Sequence, residues 1–322
     1  MFIDKIDEKY ITEWKSVNDD VLSVSRQVRD EIVKDVSKRE KTLSQIENVL
    51  YAENGVGFPM QITFNDVKKV NIKVKYVIYF VRDEYEEIFL SRNRNVNLNC
   101  EWDNENSTLT IVGIFNNGEP TDSFTEDISH EVEHMFEYTM GLKKREDLYG
   151  NVVNMLKGTN DLSYYVAVAT YYTFPHEQNA FKQQFYEFLL NQKSLLTYEQ
   201  ALQKFQVWKS VNNIYDAVYD NYDDEVVMSA INKLGYTRRN FFKRLYFGLK
   251  RFEKKLANVY LRWKTENKDK FLTKESIVKS RIVEISNKFA LSEGKTFDEK
   301  YINLPKSDIE FIFYLQPNIR HI

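Results

Sequence analysis

Two histidines and a glutamate in one short stretch have the types and spacing of metal-site residues. The stretch reads His130-Glu131-Val132-Glu133-His134, an H-E-x-x-H motif. On a helix, residues i and i+4 lie one above the other, so both imidazoles can bind one zinc ion. Glu131 lies beside them, where its carboxylate can hold and deprotonate an attacking water. Because the chain has only 4 histidines among 322 residues, a chance match is a poor explanation.

Two other interpretations of the motif stay open. The histidines could make ordinary hydrogen bonds on the surface or in the core, although burying both beside a glutamate is costly without a purpose. The chain could also have a fold of this kind whose site no longer works.

A hydrolytic zinc site normally has three protein ligands and an open position for water, so a further ligand is needed. The single cysteine, Cys100, excludes a thiolate cluster, which leaves histidine and carboxylate ligands. His176 and Glu177 follow Pro175, a residue that favours the first turn of a helix. Both are candidate third ligands.

The motif together with Glu177-x-x-Ala180-Phe181 resembles the zincin metallopeptidases, and more narrowly the gluzincin type, in which a glutamate on a second helix completes the site. The second segment is similar to the E-x-x-A-x-F pattern of the anti-repressor metallopeptidases of mobile elements. The resemblance covers about residues 107 to 190. The chain departs from the metzincin pattern, because no H-x-x-G-x-x-H continuation follows the motif.

The resemblance implies a role for each site residue. His130 and His134 would bind Zn²⁺, and Glu131 would be the general base. Glu177 would be the third metal ligand, with His176 as the alternative.

The helix that must position the motif is predicted over residues 122–141. Residues that break the chain or cap a helix mark its start: Gly118, Pro120, Thr121, Ser123 and Thr125. Gly141 can end it, and an apolar stripe would seat it on a core: Phe124, Ile128, Val132, Met135 and Met140. Asp127 is expected to be a solvated acid at the helix start, with orientation of an imidazole as the alternative.

Runs rich in β-branched and aromatic residues predict a small, mostly antiparallel sheet before this helix. The runs are residues 73–81, 86–90, 97–102 and 107–115. Residues 52–60 contain Asn-Gly, Gly and Pro and are predicted to be a linker. By the resemblance, the strand at 107–115 would receive an extended peptide substrate along a free edge.

The predicted fold class is therefore α+β, with a small mostly antiparallel sheet, a zincin-like active-site helix and a large helical remainder. The predicted division is an amphipathic helical arm (1–55), a zincin-like domain (56–300) and a C-terminal strand or tail (301–322). Within the domain we expect the sheet at 70–116, the motif helix at 122–141 and a helical subdomain at 145–300. The arm, read as helix over 4–50, is expected to pack on the chain's own body, with homo-oligomer or large assembly formation as the alternative.

Further helices are predicted over 148–155, 162–172, 175–190, 198–211, 223–233, 239–263 and 274–289, with a last strand at 308–315. Residues 236–264 contain ten Lys or Arg and one acid, Glu253. This cationic helix could meet an anionic partner. The favoured interpretation is a solvated helix whose charges pair with the chain's own acids, for example in residues 219–225.

The composition, 43% hydrophobic and 29% charged, is typical of a folded protein, and a net charge of -3 gives no global attraction to nucleic acid or membrane. The longest nearly apolar run, residues 164–174, is about half of what a membrane span requires. The opening MFIDKIDEKY has acids where a signal peptide needs a positive start. We expect a cytoplasmic or virion-associated protein without a transmembrane span.

The sequence thus predicts a zinc-dependent metallopeptidase that hydrolyses a peptide or protein substrate with Glu131 as general base. The donor to the oxyanion is left open among nearby tyrosines: Tyr138, Tyr164, Tyr165, Tyr171 and Tyr172. The alternative function is a structural or assembly protein of a virion or other large particle that uses a zincin-like domain as a scaffold.

Overall fold

The computed structural model describes residues 17–39, 56–66, 68–81, 100–116, 119–141, 148–156 and 162–274. Over these residues the protein is α+β, a small open sheet followed by a large helical part, as predicted. Some predicted elements lie outside the described residues: the strand at 86–90, the start of that at 97–102, the helix at 274–289 beyond residue 274, the strand at 308–315 and the ends of the helix at 4–50.

The sheet is formed by strands β1 (Val56–Phe64), β2 (Lys68–Val81), β3 (Glu101–Asp103), β4 (Thr108–Asn116) and β5 (Glu119–Pro120). The strand order is β1-β2-β4-β3, and β5 also pairs with β4. The β2–β4 pair is parallel, whereas the pairs β1–β2, β3–β4 and β4–β5 are antiparallel. The prediction of a mostly antiparallel sheet is confirmed.

The predicted linker at 52–60 is wrong from residue 56 onward, because β1 begins there. Gly57 lies so close to the carbonyl oxygen of Val74 that a Cβ would clash with it, so this glycine serves strand pairing. Pro59 is tolerated because, among the described strands, β1 pairs with β2 alone.

The prediction of a free edge along β4 is also wrong at both ends of that strand. Its first residues pair with β3 and its last two with β5. A turn places β3 alongside β4. In this turn Asp103 Oδ1 accepts hydrogen bonds from the backbone N–H groups of Glu105 and Asn106. Ser107 completes the reversal with φ +47°.

Helix α1 (Asp19–Arg39) packs on the chain's own body, as predicted. Its buried residues join the apolar cluster that also contains residues of the sheet and of the motif helix: Val21, Val24, Val28, Ile32 and Val36. Tyr76 of β2 donates a hydrogen bond of 2.6 Å to Asp35. The division of the chain at residue 55 stays a prediction.

The motif helix α2 (Asp122–Thr139) agrees with the predicted range. Thr121 stands at its N-cap without a capping bond from its side chain, and Gly141 follows its end with φ +68°. The predicted apolar stripe is buried at Phe124, Ile128, Val132 and Met135. Met140 does not belong to it, because it follows the last helical residue and is exposed.

The helical part consists of α3 (Tyr149–Leu156), α4 (Leu162–Tyr171), α5 (Pro175–Leu190), α6 (Tyr198–Lys204), α7 (Gln206–Asp220), α8 (Glu225–Lys233) and α9 (Arg238–Glu266). The predicted single helix at 198–211 is wrong, because the chain breaks at Phe205 with ψ 109°. Burial explains the break: the Phe205 ring packs 4.9 Å from Phe185 and 5.5 Å from Phe188.

Candidate metal centre

The H-E-x-x-H residues face the start of α5 across the α2–α5 interface. Glu177 Oε2 lies 3.2 Å from His134 Nε2 and 3.6 Å from His130 Nε2. One ligand atom from each of the three residues lies within 4.8 Å of the others. Relative exposures are 8% for His130, 7% for His134 and 0% for Glu177. This buried His-His-Glu group could hold a metal ion.

The electrostatics of the group favour an anionic glutamate. Burial alone would raise the pKa of Glu177, but the charge of His134 and the short polar contacts with the neighbouring histidines outweigh it and hold that pKa well below its usual range. Burial would lower the pKa of His130, yet the close polar contact with Glu177 and the charges of Glu131 and Glu177 raise it. The carboxylate of Glu177 is therefore ionised, which suits a group that could hold a cation.

Glu131, the predicted base, lies beside the triad and is more accessible. Its Oε1 is 4.0 Å from His130 Nε2, and its side chain is 13% exposed. Its Oε2 accepts a 3.0 Å hydrogen bond from the backbone N–H of Trp102 in β3. The sheet edge thus fixes the carboxylate at the border of the site.

His176 is not brought into the group of possible ligands. Its Nε2 lies 3.1 Å from Glu177 Oε1, although the two atoms lack the alignment of a hydrogen bond. Glu177, rather than His176, is therefore the residue that lies together with His130 and His134.

Helix α9 anchors the start of α5 and hence Glu177. Arg251 donates to the carbonyl oxygen of Thr173 at 2.6 Å and to Gln178 Oε1 at 2.9 Å. Lys255 Nζ donates to the carbonyl oxygen of Pro175 at 3.2 Å. Arg251 and Lys255 are therefore used inside the molecule to hold Thr173 and the first turn of α5.

Two predictions concern the cationic helix, which is α9: that its charges pair with the chain's own acids, and that it meets an anionic partner. Arg238 pairs with Asp223 at 2.6 Å, one of the acids expected to neutralise the helix. Lys243 is exposed next to the exposed rings of Tyr246 and Phe247. An anionic partner at this face stays a prediction.

Asp127 is not a solvated acid. It is partly buried and accepts a 2.9 Å hydrogen bond from Gln184 Nε2 of α5. Burial raises the pKa of Asp127 to about 7, and the charge of His130 opposes that rise. It does not hydrogen-bond His130 Nδ1, which has no partner among the described residues, so the orienting role is not seen either.

The α2–α5 interface, which we call the polar seam, contains buried polar residues that the sequence analysis missed. They are Glu126, Glu133 and Glu137 on α2, and Lys182, Gln183 and Glu187 on α5. Burial raises the pKa of Glu126 to about 8 and that of Glu133 to about 7. The acids of α2 recur at helical spacing on the same face as the histidines, and this signal could have revealed the seam.

Direct contacts along the seam join the two helices from end to end. Asn179 Nδ2 donates to Glu137 Oε1 at 2.7 Å, near the C-terminal end of α2. At its N-terminal end, Asn191 Nδ2 donates to the carbonyl oxygen of Asp122 at 3.2 Å. Along α2, the Gln184–Asp127 bond and the His134–Glu177 contact lie between them.

Of the tyrosines considered as donors, Tyr171 and Tyr172 lie beside the site, because both rings pack on Phe181, whose ring is 4.5 Å from that of His130. Burial and then the negative charge of Glu177 raise the pKa of Tyr171. Its hydroxyl therefore keeps its proton at neutral pH. By contrast, Tyr138 is exposed on α2.

Comparisons with protein-family models, with curated proteins and with solved structures found no match for this chain. Among the described residues, no helix has both the length and the apolar character needed to cross a bilayer.

Proposed function

We propose that the His-His-Glu group is a zinc site and that the protein is a zinc-dependent metallopeptidase. Ligands at zinc bond lengths of about 2.0–2.1 Å form a tetrahedron with edges of about 3.3 Å. The 3.2 Å and 3.6 Å separations of Glu177 Oε2 from the two Nε2 atoms are close to this value. This match, in a buried donor set with an ionised glutamate, is the observation that carries the proposal.

Bound zinc would supply a Lewis acid that acidifies water and polarises a carbonyl oxygen. Glu131 holds the attacking water and takes its proton, since this carboxylate is next to His130 and the most accessible acid of the site. Trp102 fixes the carboxylate for that task through its backbone N–H. Glu131 then returns the proton to the leaving amine.

Tyr171 is the donor that we assign to the developing oxyanion. Burial and the negative charge of Glu177 raise the pKa of Tyr171, so its hydroxyl keeps its proton, and the residue stands at the end of α4, shortly before the helix of Glu177. Such a fixed donor stabilises charge that develops only in the transition state.

The test replaces the base and leaves the ligands in place. Glu131→Gln should bind zinc as wild type does but lose hydrolysis of a fluorescence-quenched peptide library by a factor of about 10² or more. The matched control is Glu137→Gln on the same helix, which removes a carboxylate that contacts Asn179 rather than the site and should remain active. Full activity in Glu131→Gln would reject the assigned base.

The substrate, the cytoplasmic or particle-associated location and the scaffold alternative stay predictions. The scaffold alternative is distinguished by metal content: a wild-type protein that takes up no zinc on reconstitution would favour it over the peptidase.

A further inference from the structure

The two carboxylate oxygens of Glu177 face different neighbours. Oε2 is the atom close to both motif histidines. Oε1 lies 3.1 Å from His176 Nε2. The side chain is thus directed toward the metal position by one oxygen and toward a third histidine by the other.

His176 is itself held in place by aromatic rings. Its ring stacks on Phe174 with 5.6 Å between centroids and 22° between planes. The ring of Tyr149 lies 5.1 Å away at an angle of 57°. Since Pro175 begins α5 between Phe174 and His176, the stack and the helix start fix the imidazole together.

A glutamate carboxylate rotates over a broad range about its last torsion angle. Without a partner on Oε1, Glu177 could therefore turn and offer both oxygens, or neither, to a metal. His176 Nε2 lies within hydrogen-bond distance of Oε1, at 3.1 Å, but is not aligned to donate to it. A change of alignment at this distance would let His176 donate, and that bond would select one orientation of the carboxylate.

We propose that His176 is a positioning residue that donates to Glu177 Oε1, so that Glu177 gives the metal Oε2 alone. The proposal rests on the zinc site proposed above. A one-oxygen ligand keeps zinc at three protein ligands and leaves the fourth position for water.

The experiment measures zinc affinity by competition with a chromophoric chelator for wild type, His176→Phe and His176→Gln. His176→Phe keeps an aromatic ring between Phe174 and Tyr149 but has no donor, and its affinity should fall about 10–100-fold. His176→Gln supplies an amide donor without a ring, and its affinity should return to within about threefold of wild type.

A packing role for His176 predicts the reverse order, with His176→Phe equal to wild type and His176→Gln weakened. That result would overturn the proposal. If His176 were itself a metal ligand, His176→Gln would not restore zinc affinity, whereas Glu177→Gln would keep the wild-type affinity. That result would also overturn the proposal. Thermal unfolding of the metal-free variants checks that each is folded.

The metallopeptidase proposal fails differently. If the zinc affinities of wild type and the His176 variants follow the expected order but zinc-loaded wild type cleaves no peptide, hydrolysis is rejected and the role of His176 stands. If wild type cleaves peptides and His176→Phe binds zinc as tightly as wild type, the role of His176 is rejected and the peptidase stands.

Discussion

Zinc should stabilise this protein against unfolding, because its ligands come from two helices that the unfolded chain does not hold together. Metal binding to the native state alone adds RT ln(1 + [L]/Kd) to the free energy of unfolding, about 2.7 kcal/mol when free zinc is 100 times Kd. A stabilisation of 1 kcal/mol raises the melting temperature of a 322-residue chain by about 1.5 °C. We therefore expect a rise of about 4 °C on adding zinc to chelator-treated protein.

The assay is thermal unfolding followed by far-UV circular dichroism, with and without zinc. Glu177→Gln keeps the shape of the side chain but removes the anionic oxygen between the histidines, so most of the zinc-dependent rise should disappear. Glu187→Gln is the matched control on the same helix: the residue is also buried, at 2% exposure, but its neighbour is Arg26 at 3.5 Å rather than the site. That variant should keep the full rise.

Two results would refute the reasoning. An equal zinc-dependent rise in Glu177→Gln and wild type would show that the metal binds elsewhere. No rise in wild type at saturating zinc would show that the three residues do not form a site in solution.

Two further predictions concern the elements that support the site. Burial raises the pKa of Glu126 to about 8, so the folded state holds a proton that the unfolded chain releases near pH 4.5, and this contribution to stability is lost as pH rises from 4.5 to 8. In Glu126→Gln this loss of stability, on the order of a few kcal/mol, should become smaller when urea unfolding is compared at pH 5 and pH 8. The control is Glu199→Gln, at an exposed position, which should keep the wild-type pH dependence. An unchanged pH dependence in Glu126→Gln would contradict the assignment. Gly113→Ala should destabilise the protein by about 1–3 kcal/mol because a Cβ there would run into the ring of Phe124 on α2, whereas Gly150→Ala, which has open space around it, should be neutral or stabilising in the same unfolding assay. Equal stability of the two variants would show that α2 can move away from the sheet.

Local signals accounted for the parts of the site that were predictable. The range of α2 follows from capping residues, Gly141 and the apolar stripe, and the start of α5 follows from Pro175. Each of these depends on residues within a few positions of one another, so sequence spacing is enough. The same holds for β4, whose β-branched residues run up to the turn before α2.

Features that depend on distant contacts could not be read in this way. The bond from Trp102 to Glu131 joins residues 29 positions apart, and the break at Phe205 depends on a ring packing against Phe185. β1 was missed because Gly57 usually indicates a turn, whereas here its missing side chain allows close strand approach. Local propensity does not show whether a glycine forms a turn or allows two strands to approach closely.

The contacts of the polar seam repeat every seven residues, and this repeat sets the register of α2 on α5. Seven residues separate Asp127 from His134, and seven separate Glu177 from Gln184, so the two contacting pairs lie two helical turns apart on both antiparallel helices. A seven-residue repeat keeps the same stripe of each helix facing the other, and polar residues within such a stripe specify register at some cost in stability. A slip of one turn, about 5.4 Å, would separate both pairs at once. The residues outside the metal group thus select the one alignment of the two helices in which three ligands meet.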